Sequence, residues 1–588
     1  MAEIIIMPKL GFNMSEGKLV NWYKKEGESM TKGEALFSIE TDKTNIDIEA
    51  TSDGILLKTF IGEGDTVPVT LPIAIVGAAG DKIDALVTDA LAQLGMEDDP
   101  SPAITKTEAP VATEATKKPE APAATENPIA ADRDFDIIVL GGGPGGYVAA
   151  IKAAQMGKRT ALIEKGKVGG VCLNKGCIPT KTFLRSAEAL KEVRESESFG
   201  IIGVDTSGAS LDMGILQKRK HKIVSQLVGG IEGLLRGNKV TTFQGEGAVI
   251  DKNTVAIGDK KITGEYLIIA TGSEAEYMPI PIDPAMKIFI SDDILNLDYI
   301  PKDMVVLGGG VIAIEFAYFL ASVGCKVSVI VRSRILRTAT DEEIAVQVAK
   351  HLRDIGVDVY EAAQVKEVTK DSVTFEKDGK LQEVKTGNVL LATGRTPSTV
   401  GVPCEELGIK LSKGAIVTDD TCKTSVDNIY AIGDVNGKWM LAHAASMEGI
   451  VAVENICGHH SVMDYDKVPG CIYIQPEIAS VGLTEREARE KYGDVKVGKF
   501  PLIANGKAKV AGDDRGLIKV IVEPRYNEVV GVHLYCIHAT DMIAEAVVAM
   551  KLESTAEEIA MSIHPHPTVS EIYHEAFHAA VDKAIHFM

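Results

Sequence analysis

The chain contains the same local pattern twice: an apolar strand, a cluster of glycines and a helix. The first copy, FDIIVLGGGPGGYVAAIKAAQMGKRTALIEK, begins at Phe135, and the second, MVVLGGGVIAIEFAYFLASVGCKVSVIVRSR, begins at Met304. A strand, a Gly-rich turn and a helix build part of a doubly wound, mostly parallel sheet. The two copies therefore predict an α/β protein with two nucleotide-binding domains.

The first copy has the spacing of a dinucleotide site. Gly141, Gly143 and Gly146 allow a tight turn and a close approach of pyrophosphate to the helix N-terminus, where free N–H groups favour an anion. Glu164 ends the next strand, where a carboxylate can accept hydrogen bonds from ribose hydroxyls. We therefore predict dinucleotide binding here rather than a purely structural turn.

The second copy repeats the spacing with Gly308, Gly310 and Ala313, because Ala can replace the third glycine where a helix packs on a strand. Its second strand ends in Val331 instead of an acid.

Arginines follow that strand, at Arg332 and Arg334, with Arg337 close by. A solvated loop is the ordinary interpretation of scattered charge. The alternative is a site for a ribose 2′-phosphate, because guanidinium groups bind phosphate through paired hydrogen bonds. The sequence leaves both interpretations open.

Two cysteines lie just after the first nucleotide fold, in GGVCLNKGCIPTK. Cys172 and Cys177 could be ordinary buried thiols, and a structural zinc site is poorly supported because no second ligand pair is near. A close pair beside a nucleotide site suits a disulfide that accepts and passes on two electrons. No metal site is predicted.

A histidine near the C-terminus is a candidate base. His566 lies between two prolines, which fix its backbone, and Glu571 could hold its imidazole in one tautomer. Histidines are most often structural or exposed, but this setting favours a base role.

The region before Phe135 divides into a small β-rich unit and a linker. Residues 1–80 contain short apolar runs broken by Gly, which predict a small sandwich or flattened barrel. Residues 100–131 hold six Pro and nine Ala and no aromatic residue, so an extended, mobile linker is expected. Residues 81–99 have apolar residues at helical spacing and are either a short helix or the start of the linker.

The formal charge of −21, from 62 basic and 83 acidic residues, argues against a nucleic-acid partner or an anionic lipid surface. No uncharged apolar run is long enough to span a membrane, and the first residues do not resemble a signal peptide. Eight cysteines in 588 residues are too few for a disulfide scaffold, so we expect a reducing cytoplasm.

Residues 133–588 resemble the dihydrolipoamide dehydrogenase family of flavin disulfide oxidoreductases. The matching stretches are GGGPGGYVAAIKAAQ, GGVCLNKGCIPTK, ATGS at 270–273, NIYAIGDVNGKWMLAHAA and HPHPTVSE. Residues 1–80 resemble a lipoyl domain through ETDKTNIDIEA, in which Lys43 stands at the position that carries lipoate. An unmodified turn lysine is the ordinary alternative for Lys43.

The resemblance implies FAD on the first fold and NAD, with NADP as an alternative, on the second. Cys172 would exchange with the dihydrolipoyl substrate, Cys177 would face the flavin, and His566 would take the substrate thiol's proton. Lys181 would lie near the flavin and pair with Glu315, and Asp434 would bind the flavin's ribityl or ribose side. The other expected cofactor-binding residues are Gly247, Thr271, Gly272, Ser273, Gly394, Met440, Leu441, Ala442 and His443.

The resemblance also implies an order of domains: lipoyl domain 1–80, linker 81–132, FAD-binding domain 133–276 continued at 397–465, NAD(P)-binding domain 277–396, and an α+β dimerisation domain 466–588. A homodimer is expected, because in this family the histidine serves the partner's disulfide. The lipoyl arm implies acyltransferase or carrier partners in a 2-oxo acid, acetoin or glycine-cleavage complex. An NADPH-dependent disulfide reductase and a lipoyl carrier with a vestigial reductase are the alternatives.

Overall fold

The computed structural model describes residues 2–8, 16–31, 33–40, 45–50, 53–69, 71–78, 81, 83, 86–88, 90–91 and 133–587. The chain separates into two compact units, residues 1–125 and residues 126–588. None of the helices in these ranges combines the length and apolarity that crossing a membrane requires.

The first unit contains two four-stranded antiparallel sheets, in the orders β1-β8-β6-β3 and β5-β4-β2-β7. Their inward side chains, among them Leu19, Phe37, Leu56 and Ile73, are fully buried. The small all-β domain expected from the sequence is confirmed. The strands are β1 Glu3–Ile6, β2 Glu16–Trp22, β3 Ser29–Met30, β4 Ala35–Glu40, β5 Asn45–Glu49, β6 Gly54–Thr59, β7 Thr66–Pro68 and β8 Pro72–Gly77.

Two expectations from the sequence, lipoate on Lys43 and an extended linker at residues 100–131, concern residues that the structure does not describe. Strands β4 and β5 pair with Glu40 opposite Asn45, but Lys43 lies outside the described residues, as does the Pro- and Ala-rich stretch 100–131. Within 81–99, positions 86–88 and 90–91 are helical. Of the two interpretations of that segment, the structure therefore favours the helix.

The first nucleotide fold is a parallel sheet, β11-β10-β9-β14, which β27 joins beside β14. The antiparallel strands β12 and β13 extend it. Its strands are β9 Phe135–Leu140, β10 Thr160–Glu164, β11 Thr241–Gln244, β12 Gly247–Asp251, β13 Thr254–Ile257, β14 Lys260–Ile269 and β27 Ile429–Ala431. Its helices are α1 Pro144–Gln155, α2 Gly170–Lys175, α3 Cys177–Arg194, α4 Met213–Gly237, α8 Cys404–Leu407 and α9 Ala442–Ile456, with 3₁₀ turns at Ser196–Phe199 and Gly433–Asn436.

The second nucleotide fold repeats this plan. Its parallel sheet has the order β16-β23-β17-β18-β19, and β20, β21 and β22 form a separate antiparallel sheet. The strands are β16 Lys287–Phe289, β17 Asp303–Leu307, β18 Lys326–Ile330, β19 Asp358–Tyr360, β20 Gln364–Val368, β21 Ser372–Lys377, β22 Lys380–Lys385 and β23 Asn388–Leu391. The helices are α5 Ser291–Ile294, α6 Val311–Ser322 and α7 Glu342–Asp354. Two further ladders each pair two short strands: β15 Ser273–Ala275 with β24 Arg395–Pro397, and β25 Leu411–Ser412 with β26 Ala415–Ile416.

The last part of the chain is an antiparallel sheet, β28-β29-β32-β31-β30, covered by helices on its buried face. The strands are β28 Gly470–Ile472, β29 Glu477–Gly482, β30 Lys496–Pro501, β31 Leu517–Val522 and β32 Val529–Cys536. The helices are α10 Glu485–Tyr492, α11 Gly506–Ala511, α12 Ala539–Lys551, α13 Ala556–Ala560 and α14 Glu571–Val581, with 3₁₀ turns at Tyr465–Lys467 and Leu502–Ala504. The expected α/β class with an α+β C-terminal domain is confirmed.

Candidate active site

The first glycine turn has the shape that a dinucleotide requires. Gly141 has φ +109°, and a Cβ there would lie 2.2 Å from the carbonyl oxygen of Ala270. A Cβ on Gly146 would lie 1.8 Å from the carbonyl oxygen of Gly141, so the helix can approach the strand only without a side chain. Gly143, at the N-cap of α1, has open space where its Cβ would be. The turn thus leaves room for a pyrophosphate at the helix N-terminus.

Glu164 closes this site from the neighbouring strand. Its Oε2 accepts a hydrogen bond from the N–H of Gly142 at 2.7 Å, and its Oε1 accepts one from Gly166 at 2.6 Å. The carboxylate is therefore held at the end of β10, beside the glycine turn, where a ribose would lie. These residues fit the adenosine half of FAD.

The second turn shows the same geometry. Gly308 has φ +130°, and a Cβ there would lie 2.1 Å from the carbonyl oxygen of Ala392, whereas Gly310 faces open space. Ala313 is fully buried, as expected of the third position in the pattern. Val331 is buried too, and a Cβ on Gly309 would come within 2.6 Å of its side chain. The fit to a dinucleotide is therefore retained, but no carboxylate stands at residue 331.

The cysteine pair lies at the junction of two short helices. Cys172 is in α2 and Cys177 is the first residue of α3, with Gly176 between the helices; both thiols are partly buried and free. A hydrogen bond from the Cys172 thiol, followed by the charge of Lys181, lowers the pKa of Cys177 to about 7 against the opposing effect of burial. The same hydrogen bond, together with burial, raises the pKa of Cys172. Of the two reduced thiols, Cys177 is therefore the more acidic.

Lys181 connects this pair to the second nucleotide fold. Its Nζ donates to both carboxylate oxygens of Glu315 at 2.8 and 3.0 Å, and Glu315, on α6, is buried. The backbone N–H of Tyr473 donates to the same carboxylate at 3.0 Å, and the lysine Nζ lies 4.4 Å from the centroid of the Tyr473 ring. Lys181, from the first nucleotide fold, therefore contacts one residue of the second nucleotide fold and one that follows β28.

A second polar cluster lies where the ATGS segment meets the Gly433–Asn436 turn. The hydroxyl of Ser273 donates to Asp434, and Arg395 donates to both Ser273 Oγ and the Ser273 carbonyl at 2.7 Å. The Thr271 hydroxyl donates to the carbonyl of Ser398 at 2.6 Å, and Gly272 adopts φ +76° between them. Asp434 is thus held in place with one oxygen left for a ligand hydroxyl.

The other expected cofactor residues are spread around these clusters. Met440 and Leu441 precede α9, Ala442 and His443 begin it, and His443 Nε2 lies 2.7 Å from the carbonyl oxygen of Pro469. Two glycines are constrained by space. Gly247 is buried against Leu140 and Ile163 on the sheet, and a Cβ on Gly394 would lie 2.5 Å from Glu276.

His566 and Glu571 form the pair expected from the sequence. His566 Nδ1 lies 2.8 Å from Glu571 Oε1, and the histidine side chain is 79% exposed. Burial alone would raise the pKa of Glu571, but hydrogen bonds from His566 and from the N–H of Thr568 lower it. Within residues 133–587, His566 makes no hydrogen bond to either cysteine of the pair.

A cavity of about 1300 Å³ lies between the start of α6, the residues before α9 and the C-terminal sheet with α10, which supplies much of its lining. Val311, Met440, Leu441 and Cys471 line it, and so do Arg334 and Arg337. Arg334 donates weakly to the carbonyl of Arg337 at 3.4 Å, and its buried Nη1 has no hydrogen-bond partner among the described residues. Arg332 is exposed. In the described part of the chain, no three His, Cys, Asp or Glu side chains converge as a metal ion would require.

Several residues of this site were not predicted from the sequence: Tyr473, Arg395 and Glu448. Tyr473 and Arg395 act through contacts between segments more than a hundred residues apart. Glu448 lies in AHAASMEG, where a single carboxylate in a stretch made mostly of small and apolar residues was the available signal.

The chain matches three protein families. Residues 135–449 match the family described as pyridine nucleotide-disulphide oxidoreductase, residues 468–577 match its dimerisation domain, and residues 3–76 match a domain described as biotin-requiring enzyme.

Curated relatives and solved structures agree with these matches. A dihydrolipoyl dehydrogenase of Bacillus subtilis (strain 168) is 40% identical over 475 residues, which are 77% of this chain and 99% of the relative. One of Geobacillus stearothermophilus is 40% identical over 464 residues, covering 77% and 98%. The structure of the HOCl-induced flavoprotein disulfide reductase RclA from Escherichia coli is similar with a TM-score of 0.66, at 28% identity, over 75% of this chain and 99% of that one.

Proposed function

The chain belongs to the pyridine nucleotide-disulphide oxidoreductase family. On that basis we propose the role of each residue in the site. The enzyme is a FAD- and NAD-dependent dihydrolipoyl dehydrogenase, which oxidises dihydrolipoyl groups to lipoyl groups. The observation that carries the assignment of residues is the Cys172–Cys177 pair beside Lys181, whose charge lowers the pKa of Cys177 and whose ion pair with Glu315 reaches the second nucleotide fold.

Oxidation begins with the enzyme's disulfide. A substrate thiolate attacks Cys172 Sγ, the Cys172–Cys177 bond breaks, and Cys177 leaves as a thiolate. The second substrate thiolate then attacks the substrate sulfur that is bonded to Cys172. This attack closes the lipoyl ring and releases Cys172 as the second enzyme thiolate. A leaving thiol with a low pKa leaves faster, so the lowered pKa of Cys177 suits this role.

A base is needed because a thiol with an ordinary pKa near 8.5 is mostly protonated at neutral pH. We assign this role to His566, with Glu571 holding Nδ1–H so that Nε2 can take the proton. His566 is exposed and, within residues 133–587, makes no hydrogen bond to Cys172 or Cys177, which supports a site completed by a second copy, with the histidine of one protomer serving the disulfide of its partner. The match to the dimerisation domain supports the homodimer.

FAD, when bound, carries two electrons from the reduced thiols to the nicotinamide. The chain's residues hold it with the Gly141–Gly146 turn and Glu164 at the adenosine end and with Asp434 and residues 440–443 at the other. Lys181 places a positive charge beside Cys177, and the hydrogen bond to Glu315 fixes the position of the lysine ammonium group. The Gly308–Ala313 turn and the adjoining cavity receive the nicotinamide nucleotide.

The lipoyl domain supplies a substrate on the same chain. The curated relatives cover only 77% of this chain although nearly all of their own length is matched, so the domain at residues 3–76 is an addition to their common plan. We propose that lipoate on Lys43 carries dithiol between this active site and the acyltransferase or carrier components of a 2-oxo acid, acetoin or glycine-cleavage complex. Tethering of this kind raises the local substrate concentration into the millimolar range. The eight free cysteines suit a cytoplasmic setting.

The arginines of the second fold favour binding of NADP in addition to NAD. Residue 331 offers no carboxylate for the adenine ribose of NAD, and Arg334 has a buried guanidinium nitrogen without a partner in the described structure. Both properties suit the 2′-phosphate of NADP, in the dehydrogenase direction or in the reverse, reductase direction.

The deciding experiment is a steady-state assay of the full chain with free dihydrolipoamide, with NAD and NADP side by side. We expect flavin-dependent oxidation with both nucleotides and loss of it in Cys172→Ser and Cys177→Ser. Wild-type protein that binds FAD but does not oxidise dihydrolipoamide would contradict the proposed function and leave a lipoyl carrier as the explanation.

A further inference from the structure

Glu448 is a buried carboxylate that connects the elements around the expected flavin site. It lies on α9, six residues after Ala442, and none of its surface is exposed. The helix packs against α1 so closely that a Cβ on Gly449 would lie 2.7 Å from the carbonyl oxygen of Gly145. Glu448 therefore belongs to a helix that contacts α1, the helix at the pyrophosphate turn, and that begins at Ala442.

Three donors converge on the Glu448 carboxylate. The backbone N–H of Gly433 donates to Oε2, and Asn436 Nδ2 and the Tyr465 hydroxyl donate to Oε1, each at 2.9 Å. Gly433 and Asn436 are the two ends of the 3₁₀ turn that contains Asp434. The carboxylate thus holds both ends of that turn.

The hydrogen bond from the Gly433 N–H to Glu448 is the contact that links this carboxylate to Asp434. Gly433 adopts φ +71°, and the next residue is Asp434, whose side chain accepts a hydrogen bond from Ser273. A buried charge is costly unless it is well hydrogen-bonded. Burial raises the pKa of Glu448, and the hydrogen bonds from Asn436 and Gly433 oppose that rise. A leucine on this face would pack without these demands, so the carboxylate has a purpose other than filling the core.

We propose that Glu448 is a positioning residue for the flavin: it sets the turn that presents Asp434 against the start of α9, and so determines how tightly FAD is bound. The inference rests on the proposed function only in that FAD occupies the first nucleotide fold. It assigns to Glu448 an effect on the cofactor that is separable from an effect on folding stability.

The test is Glu448→Gln in the full-length holoenzyme. The side chain keeps its shape, but its new NH₂ group faces an N–H or O–H donor instead of accepting from it. Loss of a hydrogen bond to a charged group predicts FAD binding weaker by about ten- to a hundredfold, measured from flavin fluorescence on dilution. A shift of the visible flavin spectrum should accompany it.

The matched control is Glu454→Gln. Glu454 lies on the same helix and pairs with Lys152 of α1 at 3.1 Å, and among the described residues its side chain makes no hydrogen bond to the 433–436 turn. We expect FAD affinity within about twofold of wild type. Tyr465→Phe removes one donor to Glu448 and should weaken FAD binding by about two- to tenfold, which keeps the inference testable if Glu448→Gln does not fold.

The outcomes separate the two roles. Weaker FAD binding in Glu448→Gln and Tyr465→Phe, with Glu454→Gln unchanged, supports the inference. A lowered melting temperature in Glu448→Gln with wild-type FAD affinity and spectrum overturns it, as does wild-type affinity in Tyr465→Phe when Glu448→Gln is insoluble. Wild-type protein without FAD would instead contradict the proposed function.

Discussion

Lys181 and Glu315 are 134 residues apart in the chain and form one ion pair, with Nζ 2.8 Å from Oε2. The lysine comes from the helix that begins at Cys177, and the glutamate from α6, the helix that follows the second glycine turn. The pair therefore couples the charge beside the thiolate to the position of the nucleotide-binding domain.

Replacing Lys181 should change the acidity of Cys177. The charge of Lys181 is one of the causes that lower the pKa of Cys177 to about 7, so the thiolate forms as the pH rises through that value. In Lys181→Met the midpoint should move to higher pH. The pH dependence of iodoacetamide labelling of the reduced enzyme, read by peptide mass spectrometry, measures it. Lys175→Met is the control, because Lys175 pairs with Asp292 instead; an unchanged midpoint in both variants would show that Lys181 does not act on the thiol.

The two cysteines should each be required. Cys172→Ser and Cys177→Ser should retain FAD, because the glycine turns and Asp434 are untouched, and lose dithiol oxidation, because each removes half of the relay. Steady-state assay with dihydrolipoamide and the flavin content of the purified proteins give the two readouts. Near-normal turnover in either variant is the result that excludes the redox disulfide.

His566→Gln should lower turnover by about two to four orders of magnitude, the usual effect of a positioned acid–base group. Glu571→Gln should act in the same direction more weakly, because it only orients the ring. His586→Gln is a close control: His586 is also exposed and its Nδ1 lies 2.7 Å from a carboxylate, that of Glu575. A loss of less than tenfold in His566→Gln, or an equal loss in His586→Gln, would identify a structural histidine.

The lipoyl arm should be separable from the reductase. Removal of residues 1–132 should leave activity on free dihydrolipoamide largely intact, since the thiols, the glycine turns and His566 all lie beyond that point. In cells with the lipoylation machinery, peptide mass spectrometry should find lipoate on Lys43. An unmodified Lys43 beside a lipoylated carrier from the same cells would contradict this.

The nucleotide preference should depend on Arg334. We expect NADP to be used at least comparably to NAD, since charge-assisted contacts to a 2′-phosphate contribute about 1.5–3 kcal/mol each, roughly ten- to a hundredfold in affinity. Arg334→Gln should raise the KM for NADP more than that for NAD, and Val331→Glu with Arg332→Ala should shift preference toward NAD. Arg353→Gln, which breaks a pair with Glu361 at 3.2 Å in the same domain, is the control. A specificity constant for NADP a thousandfold lower than that for NAD in the wild type would show that the arginines face solvent and do not bind a 2′-phosphate.

Local geometry could be predicted from the residues themselves, whereas the long-range Lys181–Glu315 pair was expected only from the family resemblance and other long-range contacts were not expected at all. Gly141 and Gly308 stand where positive φ angles are required, and the spacing of each motif already indicates this. His566 and Glu571 are five residues apart, so their pairing follows from a short stretch of chain. Tyr473, Arg395 and Glu448 act across tertiary contacts that no local pattern specifies. Arg334 was a candidate from its position, but its unpartnered nitrogen depends on how the 331–338 loop packs.

The three-residue strand β27 has a consequence for how the protein is made. It pairs with β14 in register Leu267 to Ile429, so the first sheet is complete only when residues 429–431 have left the ribosome. The whole second nucleotide fold, whose core strands span residues 287–391, is synthesised between these two partners. Domains usually fold as units in the order in which they emerge. Here the second fold can form its own sheet first, and the earlier one closes around β27 afterwards, so a nascent chain halted before residue 429 lacks the strand that precedes Asp434 and should not retain FAD.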